Sequence, residues 1–471
     1  MKRKIVSGKD LGRLGFVNAN VIGIAINTIY KFYRHESKDE IYSMLRDVVA
    51  NPGKFLDDPV WCTTALAILP QQKQGRAHKL NSSRIPYATF GAQGIEESAR
   101  NQMEIAMKLP VAVAGALMPD AHYGYGLPIG GVLATRNEVI PYAVGLDIGC
   151  RMSLSVYPLE DQLLERHRVF LKKSLIENTR FGNDQFEKPL DHEVLNRKVF
   201  DELPVLRKLK GKAAWQIGTS GSGNHFVEFG IVKLNDGNAF GLEACDYLGI
   251  LSHSGSRGLG AEIARHFTAI AKETCLLPSH ATNMAWLDLE TDAGAQYWMA
   301  MNLAGDYAVA NHEQIHHRLS APFGLKAILT VQNHHNFAWQ EMLDDGRLAI
   351  VHRKGATPAA DGVLGIIPGS MTQPGFIVRG KGSPPSLRSA SHGAGRIMSR
   401  GEAKTRITSK MVRRALESSG VELIGGAIDE APMVYKDIFE IMKSQRDLVA
   451  IEGQFFPKIV RMSGQGQAGE N

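Results

Sequence analysis

The sequence predicts an α/β protein in which one large mixed α/β domain follows an N-terminal extension. Short apolar runs with the length of buried strands alternate with segments of helical periodicity. Motifs rich in glycine, histidine and arginine are spread over residues 118–400, and they must converge to act together. No linker-like break separates these motifs, so we expect the domain to span residues 86–463. Residues 1–85 would form the extension, and residues 464–471, rich in Gly and Gln, a flexible tail.

The composition is that of an ordinary globular protein. Of the 471 residues, 44% are hydrophobic and 22% are charged. The net charge of +6 suits a polyanionic partner, although the excess is modest for so large a surface. The four scattered cysteines exclude a disulfide-rich protein and favour the reducing cytoplasm. No apolar run approaches the roughly 18 residues of a membrane span, so we expect no membrane partner.

Individual elements follow from capping and periodicity. In the extension, Ser37 and Glu40 form a capping box ahead of apolar residues at helical spacing, which predicts a helix. Residues 158–177 predict a charged amphipathic helix, and a long helix is predicted at residues 293–319. Residues 178–211 have weak periodicity and several charges, which is typical of a mobile insertion.

Five side chains are candidate metal ligands: Asp147, Cys150, His225, His253 and His335. Asp147 and Cys150 lie three residues apart in a glycine-rich turn. Each histidine ends a short apolar run or lies in a loop of small residues, which is where ligands bind on α/β sheets. Carboxylate, thiolate and imidazole bind Mn²⁺, Fe²⁺, Co²⁺ or Zn²⁺. Five ligands exceed one tetrahedral site, so we expect two ions that share Cys150.

A second group of residues predicts anion binding. Residues 220–224 form a loop of small residues whose backbone N–H groups could surround an anion. Similar loops carry Arg257, Arg396 and Arg400, and a guanidinium can hold a phosphate through two hydrogen bonds. Within the SHGAGR segment, His392 lies among small residues, and an imidazole beside a metal and phosphate site can act as a nucleophile.

The order of these motifs resembles the RtcB family of RNA-splicing ligases. The resemblance covers about residues 85–440 and rests on eight segments in the family's order: PDAHYGYGLPIGG, GLDIGC, GSGNHFVEF, SHSGSRG, HNFA, HRKGATPA, PGSM and SHGAGR. It implies a catalytic domain of the RtcB type. It also implies a cytoplasmic ligase that uses two Mn²⁺ ions and GTP to join RNA ends carrying a 3′-phosphate or 2′,3′-cyclic phosphate to 5′-hydroxyl ends, in RNA repair or tRNA splicing. An archease-like activator is a further expected partner.

The resemblance also implies residue roles. His392 would be guanylylated, with Asp120 as a second catalytic residue. Cys150 would bridge the ions, one with Asp147 and His225, the other with His253 and His335. The nucleotide would be held by Asn224, Glu228, Arg257, His335, Asn336, Pro368, Gly369, Ser370, His392, Gly393, Ala394, Gly395, Arg396, Arg400, Tyr435 and Arg461, with Glu228 and Tyr435 at the guanine.

The chain departs from the family pattern at several positions. Gly375 stands where a serine that contacts guanine is expected, and Arg461 replaces a lysine close to the C-terminus. Arg151 follows the metal cysteine in place of a glycine. Because the first two changes fall at the nucleotide end, the choice between GTP and another nucleotide stays open, and the chain is expected to be a divergent member.

Two other functions compete with this prediction. One is a degenerate paralogue that binds RNA without catalysis. The other is a zinc protease, because His312, Glu313 and His316 match the HExxH motif, with Glu341 as a third ligand. The longer metzincin form of that motif fails, since Leu319 and Pro322 stand where glycine and histidine are required.

Overall fold

The computed structural model describes residues 6–16, 19–68, 75–158, 163–324 and 326–464. The chain divides into two compact units, Met1–Gly75 and Arg76–Asn471. The domain boundaries at residues 85 and 463 stay predictions, and the predicted tail lies, apart from Gly464, outside the described residues. Among the described residues, no helix has both the length and the apolar character that a bilayer crossing requires.

The first unit is helical. Its helices are α1 (Gly8–Arg13), α2 (Ala19–Phe32), α3 (Lys38–Ala50) and α4 (Cys62–Ile68). Leu11, Ile29, Leu45 and Trp61 are buried in a core of its own. The predicted capping box is present at the start of α3, where the backbone N–H of Glu40 donates to the Ser37 hydroxyl at 3.3 Å.

The second unit is mixed α/β. Its helices are α5 (Glu97–Ala106), α6 (Pro141–Val144), α7 (Leu163–Arg166), α8 (Arg168–Asn178), α9 (Val199–Glu202), α10 (Pro204–Gln216), α11 (Arg257–Thr274), α12 (Asp292–Ser320), α13 (Arg400–Arg406), α14 (Ser409–Ser419) and α15 (Ile438–Ser444). Its strands are β1 (Arg76–Ala77), β2 (Ala88–Thr89), β3 (Ala112–His122), β4 (Ile129–Thr135), β5 (Glu138–Val139), β6 (Arg151–Pro158), β7 (Phe226–Leu234), β8 (Asp246–Ser254), β9 (Cys275–Leu276), β10 (Leu287–Asp288), β11 (Leu329–His334), β12 (Asn336–Met342), β13 (Leu348–Lys354), β14 (Ala356–Pro358), β15 (Leu364–Ile367), β16 (Gly375–Gly380), β17 (Ser389–Ser391), β18 (Glu422–Ile424) and β19 (Val449–Met462).

The predicted fold class is confirmed, because a large mixed α/β unit follows the N-terminal segment. Its largest sheet has the strand order β11-β6-β8-β7-β19-β16-β15, all antiparallel, with β18 parallel to β19. A five-stranded sheet has the order β12-β13-β4-β3-β2. The predicted long helix is α12, one residue longer at each end than expected.

The antiparallel register brings one end of four strands together. Met152 in β6 pairs with His253 in β8, which pairs with Phe226 in β7. Cys150 and His225 directly precede β6 and β7, and His335 directly follows β11, whose neighbour is β6. Starts and ends of neighbouring antiparallel strands meet at the same edge. Residues far apart in the sequence therefore converge at one end of the sheet.

The prediction that residues 178–211 form an insertion is wrong. Phe200 and Leu206 are fully buried in the largest hydrophobic core, and α10 packs against α11. The many lysines and arginines of this segment lie on its outer face and hide the apolar spacing. The predicted helix at 158–177 is α7 followed by α8, with a break at His167, while residues 159–162 lie outside the described residues.

Candidate active site

The five predicted metal ligands lie together at the converging end of the sheet. Cys150 Sγ lies 3.1 Å from His253 Nε2 and 3.4 Å from His225 Nε2. His225 Nε2 lies 2.9 Å from Asp147 Oδ2, and His253 Nε2 lies 3.2 Å from His335 Nε2. The donor atoms form two groups that share Cys150, one with Asp147 and His225 and one with His253 and His335.

Burial keeps two histidines of this cluster, His253 and His335, neutral. It lowers the pKa of His253 to about 3 and lowers the pKa of His335 well below its ordinary value. His253 Nδ1 lies 3.1 Å from the Asn224 carbonyl oxygen. A carbonyl only accepts, so Nδ1 carries the proton and Nε2 presents a lone pair to the cluster.

The anionic donors complete a set suited to a cation. Burial raises the pKa of the Asp147 carboxyl, but the hydrogen bonds and charge interactions with His225, Cys150 and His253 together outweigh burial, so the pKa is lowered and the group is ionised. Burial also raises the pKa of the Cys150 thiol well above its ordinary range. A bound cation would reverse that effect, since a coordinating thiol loses its proton. Lone pairs from N, O and S that face one another in a buried space fit divalent ions of the Mn²⁺ to Zn²⁺ series.

The small residues of the neighbouring loops make room for these ligands. A Cβ at Gly255 would collide with Asp147 Oδ1, and a Cβ at Gly221 would collide with His225 Nδ1. Both glycines belong to segments that the sequence predicted as anion-binding loops. At these two positions, glycine permits the close approach of the ligand side chains.

His392 lies beside the cluster on a fully buried carboxylate. Its Nδ1 lies 2.7 Å from Asp120 Oδ2, and the same oxygen accepts the backbone N–H groups of His392 at 3.1 Å and Gly393 at 3.4 Å. Burial raises the Asp120 pKa, yet the hydrogen bond and charge interaction with His392 lower it overall, so Asp120 is ionised. The ionised carboxylate fixes the proton on Nδ1. In the neutral ring, Nε2 then carries the lone pair that is available to a reactant. The ring centroid of His392 lies 5.0 Å from that of His335.

One cavity of about 940 Å³ contains both the cluster and His392. Nearly all predicted cofactor-binding residues line it: Asn224, Glu228, His335, Asn336, Pro368, Gly369, Ser370, His392, Gly393, Ala394, Gly395, Arg396, Arg400 and Tyr435. Gly375 lines it as well. The cavity is large enough for a ligand of nucleotide size, since ligand pockets typically measure about 300–1,000 Å³.

An acidic pair holds the basic wall of this cavity. Arg396 donates to the Asp429 carbonyl at 2.8 Å and lies 3.4 Å from Glu430 Oε2. Arg400 lies 3.1 Å from Asp429 Oδ2, and the Tyr435 hydroxyl donates to Glu430. Burial and the charge of Glu430 raise the pKa of Tyr435 well above its ordinary value. The two guanidinium groups are thus oriented by carboxylates at the cavity wall.

Comparison with known proteins identifies the family. The family model described as tRNA-splicing ligase RtcB matches residues 102–203 and 192–462. The RNA-splicing ligase RtcB of Escherichia coli (strain K12) is 31% identical over 389 aligned residues, in a match that covers 76% of this chain and 92% of the relative. The chain belongs to the RtcB family of tRNA-splicing ligases.

Other RtcB relatives match over a similar extent. The tRNA-splicing ligase RtcB of Archaeoglobus fulgidus is 31% identical over 420 residues, covering 73% of this chain and 86% of the relative. The RNA-splicing ligase RtcB homolog 2 of Entamoeba dispar is 30% identical over 406 residues, covering 71% and 78%. The resemblance predicted from the motifs is confirmed.

Two arginines predicted to bind the RtcB nucleotide lie outside the cavity lining. Arg257 is buried, has a φ of 57°, and donates to the Gly182 carbonyl at 2.7 Å and the Thr219 hydroxyl at 3.2 Å. Arg461 donates to the carbonyl groups of Ile176 at 2.7 Å and Thr179 at 3.1 Å, at the end of α8. In these positions both side chains fix backbone, and neither reaches the cavity.

The two histidines of the HExxH match are buried where α12 packs against the largest sheet, whereas Glu313 is exposed. His316 Nδ1 lies 2.7 Å from the Ser155 hydroxyl, and its Nε2 lies 2.7 Å from the Ser252 hydroxyl. His312 uses Nδ1 toward Ser252 at 2.6 Å and Nε2 toward the Ser254 carbonyl at 3.1 Å. Among the described residues, neither histidine belongs to a group of metal ligands, and all four ring nitrogens are engaged. Glu341, the expected third ligand, pairs instead with Arg353 at 2.6 Å.

Among the cavity-lining residues that sequence reasoning missed are Tyr123, Tyr125, Lys354 and Glu430. The first three lie inside segments that carried the RtcB resemblance, and the spacing of tyrosines between glycines in HYGYG was a usable signal. Burial lowers the pKa of Lys354 to about 7, and its Nζ donates to the Tyr142 carbonyl at 3.1 Å. No local pattern distinguishes Glu430 from a surface acid.

Proposed function

We propose that this protein is an RNA ligase that joins a 3′-phosphate or 2′,3′-cyclic phosphate end to a 5′-hydroxyl end through a histidine–GMP intermediate. The observation that supports this most is the shared cavity. It combines a histidine with one available ring nitrogen and five convergent metal-ligating groups. The names of the RtcB relatives, RNA-splicing ligase and tRNA-splicing ligase, support the ligation of RNA.

His392 is the nucleophile in this proposal. Its Nε2 lone pair attacks the α-phosphorus of GTP, a P–N bond forms, and the bond to the β-phosphate oxygen breaks to release pyrophosphate. Asp120 keeps the proton on Nδ1 and stabilises the positive charge that grows on the ring. Asp120 is fully buried and does not line the cavity, so its role in this proposal is to position His392.

Two Mn²⁺ ions would be held by the cluster around Cys150, with Asp147 and His225 for one ion and His253 and His335 for the other. When bound, they would supply Lewis-acid stabilisation of phosphate charge. The neutral His253 and His335 and the ionised Asp147 are already in the protonation states that metal binding requires. Asn224 holds the ring of His253 in the required orientation.

The remaining cavity residues would hold the nucleotide. Arg396 and Arg400 line the wall, where Asp429 and Glu430 orient their guanidinium groups, and a guanidinium can hold a phosphate through two hydrogen bonds. Glu228 is 4% exposed, and burial raises its pKa well above the ordinary value. A buried carboxyl without a charged partner suits the N–H groups of guanine. Gly375 lacks the side chain that the family pattern supplies, so ATP is tested beside GTP.

In the later steps GMP passes from His392 to the RNA 3′-phosphate, which breaks the P–N bond and forms a phosphoanhydride. The 5′-hydroxyl then attacks the activated phosphorus, and GMP leaves as the new phosphodiester forms. A cyclic end is first opened by water to a 3′-phosphate. We expect the reaction in the cytoplasm, where Cys150 stays reduced, and an archease-like partner would speed repeated turnover.

Covalent labelling tests the proposal. Protein incubated with Mn²⁺ and α-³²P-labelled GTP should carry an acid-labile label and should ligate matched RNA ends. His392→Ala should keep its metal content and lose both activities. Labelling of His392→Ala at the wild-type level would overturn the assignment of the nucleophile. RNA binding by the wild-type protein without any label from GTP or ATP would favour the degenerate, non-catalytic paralogue.

A further inference from the structure

Two exposed tyrosines stand at the mouth of the cavity. Tyr123 and Tyr125 follow the end of β3, and their side chains are 58% and 67% exposed although both line the cavity. Large aromatic side chains at such exposure lose hydrophobic stabilisation, and exposed apolar surface beside a pocket commonly marks a binding site. The loop between β3 and β4 therefore presents two aromatic faces to whatever enters.

The backbone of this loop is held rigidly while its tyrosines remain outside. The Tyr123 N–H donates to Glu96 at 2.6 Å, and the Gly124 N–H donates to Gln102 at 3.0 Å. The Tyr125 carbonyl accepts from Lys354 Nζ. A loop whose backbone is already held loses less entropy on binding than a mobile loop. These contacts use backbone atoms, so they persist when the tyrosine side chains are changed.

The ring of Tyr125 also packs near a second aromatic ring, that of Tyr142. Its ring centroid lies 6.4 Å from that of Tyr142, at an interplanar angle of 53°. Lys354 and Lys272 place their ammonium groups 5.3 and 5.4 Å from the Tyr142 ring centroid. Cation–π contacts of this kind fix Tyr142, which in turn supports Tyr125. The outer face of Tyr125 is left to a ligand.

The loop is linked directly to the surroundings of the nucleophile. Lys354, which binds the Tyr125 carbonyl, is followed by Gly355, and a Cβ at Gly355 would lie 3.2 Å from His392 Cε1. The residues proposed to hold guanine, Glu228 and Tyr435, belong to β7 and to the segment before α15. The β3–β4 loop thus approaches His392 from a different part of the fold than the proposed guanine contacts.

We propose that Tyr125, with Tyr123 beside it, stacks on the terminal base of the RNA strand whose 3′-phosphate is activated. This inference rests on the proposed ligase function. Every base has a π-face, so stacking holds an RNA end without selecting its sequence. Such stacking strengthens single-strand binding by about 5- to 150-fold per base. Stacking of the terminal base on these two tyrosines would bring its 3′-phosphate to His392 and leave Glu228 and Tyr435 free to contact the guanine of GTP.

Fluorescence of a reporter base tests the stacking directly. An RNA oligonucleotide with 2-aminopurine as its 3′-terminal base and a 3′-phosphate is titrated with metal-loaded protein in the absence of GTP. Stacking on Tyr125 should quench the 2-aminopurine emission. Tyr125→Ala should abolish most of the quenching and weaken binding at least about tenfold, whereas Tyr125→Phe should retain both. Phe439→Ala, at another exposed aromatic side chain that is 51% exposed and outside the cavity lining, should match the wild type.

Kinetics separate this role from nucleotide binding and from general loss of structure. In Tyr125→Ala, the KM for RNA should rise about tenfold, while the rate and GTP dependence of His392 labelling stay within twofold of the wild type. An RNA with an abasic 3′-terminal nucleotide should bind both proteins equally. Unchanged RNA binding in Tyr125→Ala, or a raised GTP requirement for labelling, would overturn the proposal. If the wild type shows no labelling but still quenches 2-aminopurine, the ligase mechanism is overturned and the stacking of the terminal base on Tyr125 is retained.

Discussion

Replacing Asp120 by asparagine tests how the nucleophile is held. Asp120 Oδ2 accepts three hydrogen bonds, from the His392 ring at 2.7 Å and from the N–H groups of His392 at 3.1 Å and Gly393 at 3.4 Å. The asparagine amide can point its oxygen or its nitrogen at these donors. An NH₂ group there would face three donors, so the amide oxygen takes the position and Nδ1 keeps its proton.

The expected loss follows from the change of charge. A hydrogen bond to a charged group contributes about 1.5–3 kcal/mol and one between neutral groups about 0.5–1.5 kcal/mol. The difference of about 1–2 kcal/mol corresponds to roughly a 5- to 30-fold slower labelling step. Loss of the correct tautomer would instead cost on the order of 10⁴-fold. Asp120→Asn should therefore be slow and not inactive.

The assay is single-turnover labelling of His392 with α-³²P-labelled GTP at saturating Mn²⁺. Glu452→Gln is the matched control: Glu452 is 5% exposed, lies 2.8 Å from Arg379, and is absent from the cavity lining. It should label at the wild-type rate. A loss below twofold in Asp120→Asn, or above a thousandfold with metal content and Tm near those of the control, would refute the reasoning.

Three further predictions follow from the cavity and its surroundings. Burial raises the folded-state pKa of Glu228 above its ordinary 4.5, so the folded state binds more protons than the unfolded state above that pH, and wild-type stability falls as pH rises. Above that pH, the free energy of unfolding of Glu228→Gln relative to the wild type should therefore increase by up to about 1.4 kcal/mol per pH unit, and its GTP labelling should be weaker. A Tm difference between the two proteins that does not vary from pH 5 to 8 contradicts this. Cys150→Ala should lose both metal ions and His335→Ala should keep at least part of one site; elemental analysis that finds two ions in Cys150→Ala excludes the bridging role. Arg461→Ala should lower the free energy of unfolding by about 1–2 kcal/mol, measured by denaturant titration, and leave GTP labelling unchanged; a raised GTP requirement would return Arg461 to the nucleotide site.

The convergence of the ligands was predictable because each one stands at the end of an apolar run. Cys150 precedes β6, His225 precedes β7 and His335 follows β11. Neighbouring strands of a sheet begin or end on the same side of it, so metal-ligating residue types at several strand ends indicate one shared site. What the sequence could not supply was the antiparallel strand order that turns these ends to the same side.

The two predicted arginines that lie outside the cavity lining, Arg257 and Arg461, show what a local sequence pattern does not contain. Along β19, Val460 and Met462 line the cavity and Arg461 between them does not, as expected for alternating side chains. The register shift between Pro457 and Ile459 determines which of the alternating side chains of β19 face the cavity, and no local sequence pattern reveals that shift. Arg257 resembled a phosphate ligand because small residues surround it. Its positive φ turns the side chain into the protein, and a backbone angle cannot be read from composition.

The position of β19 governs when this protein can become active during synthesis. The last strand that the structure describes lies between β7 and β16, inside the largest sheet and not at its edge. A growing chain would already carry every ligand and His392 before this strand leaves the ribosome, yet β7 and β16 would lack a shared neighbour. A chain that stops before residue 449 would expose unpaired strand edges, which favour aggregation. The largest sheet should therefore be completed only when β19 pairs with β7 and β16, after the candidate ligands and His392 have all been synthesised.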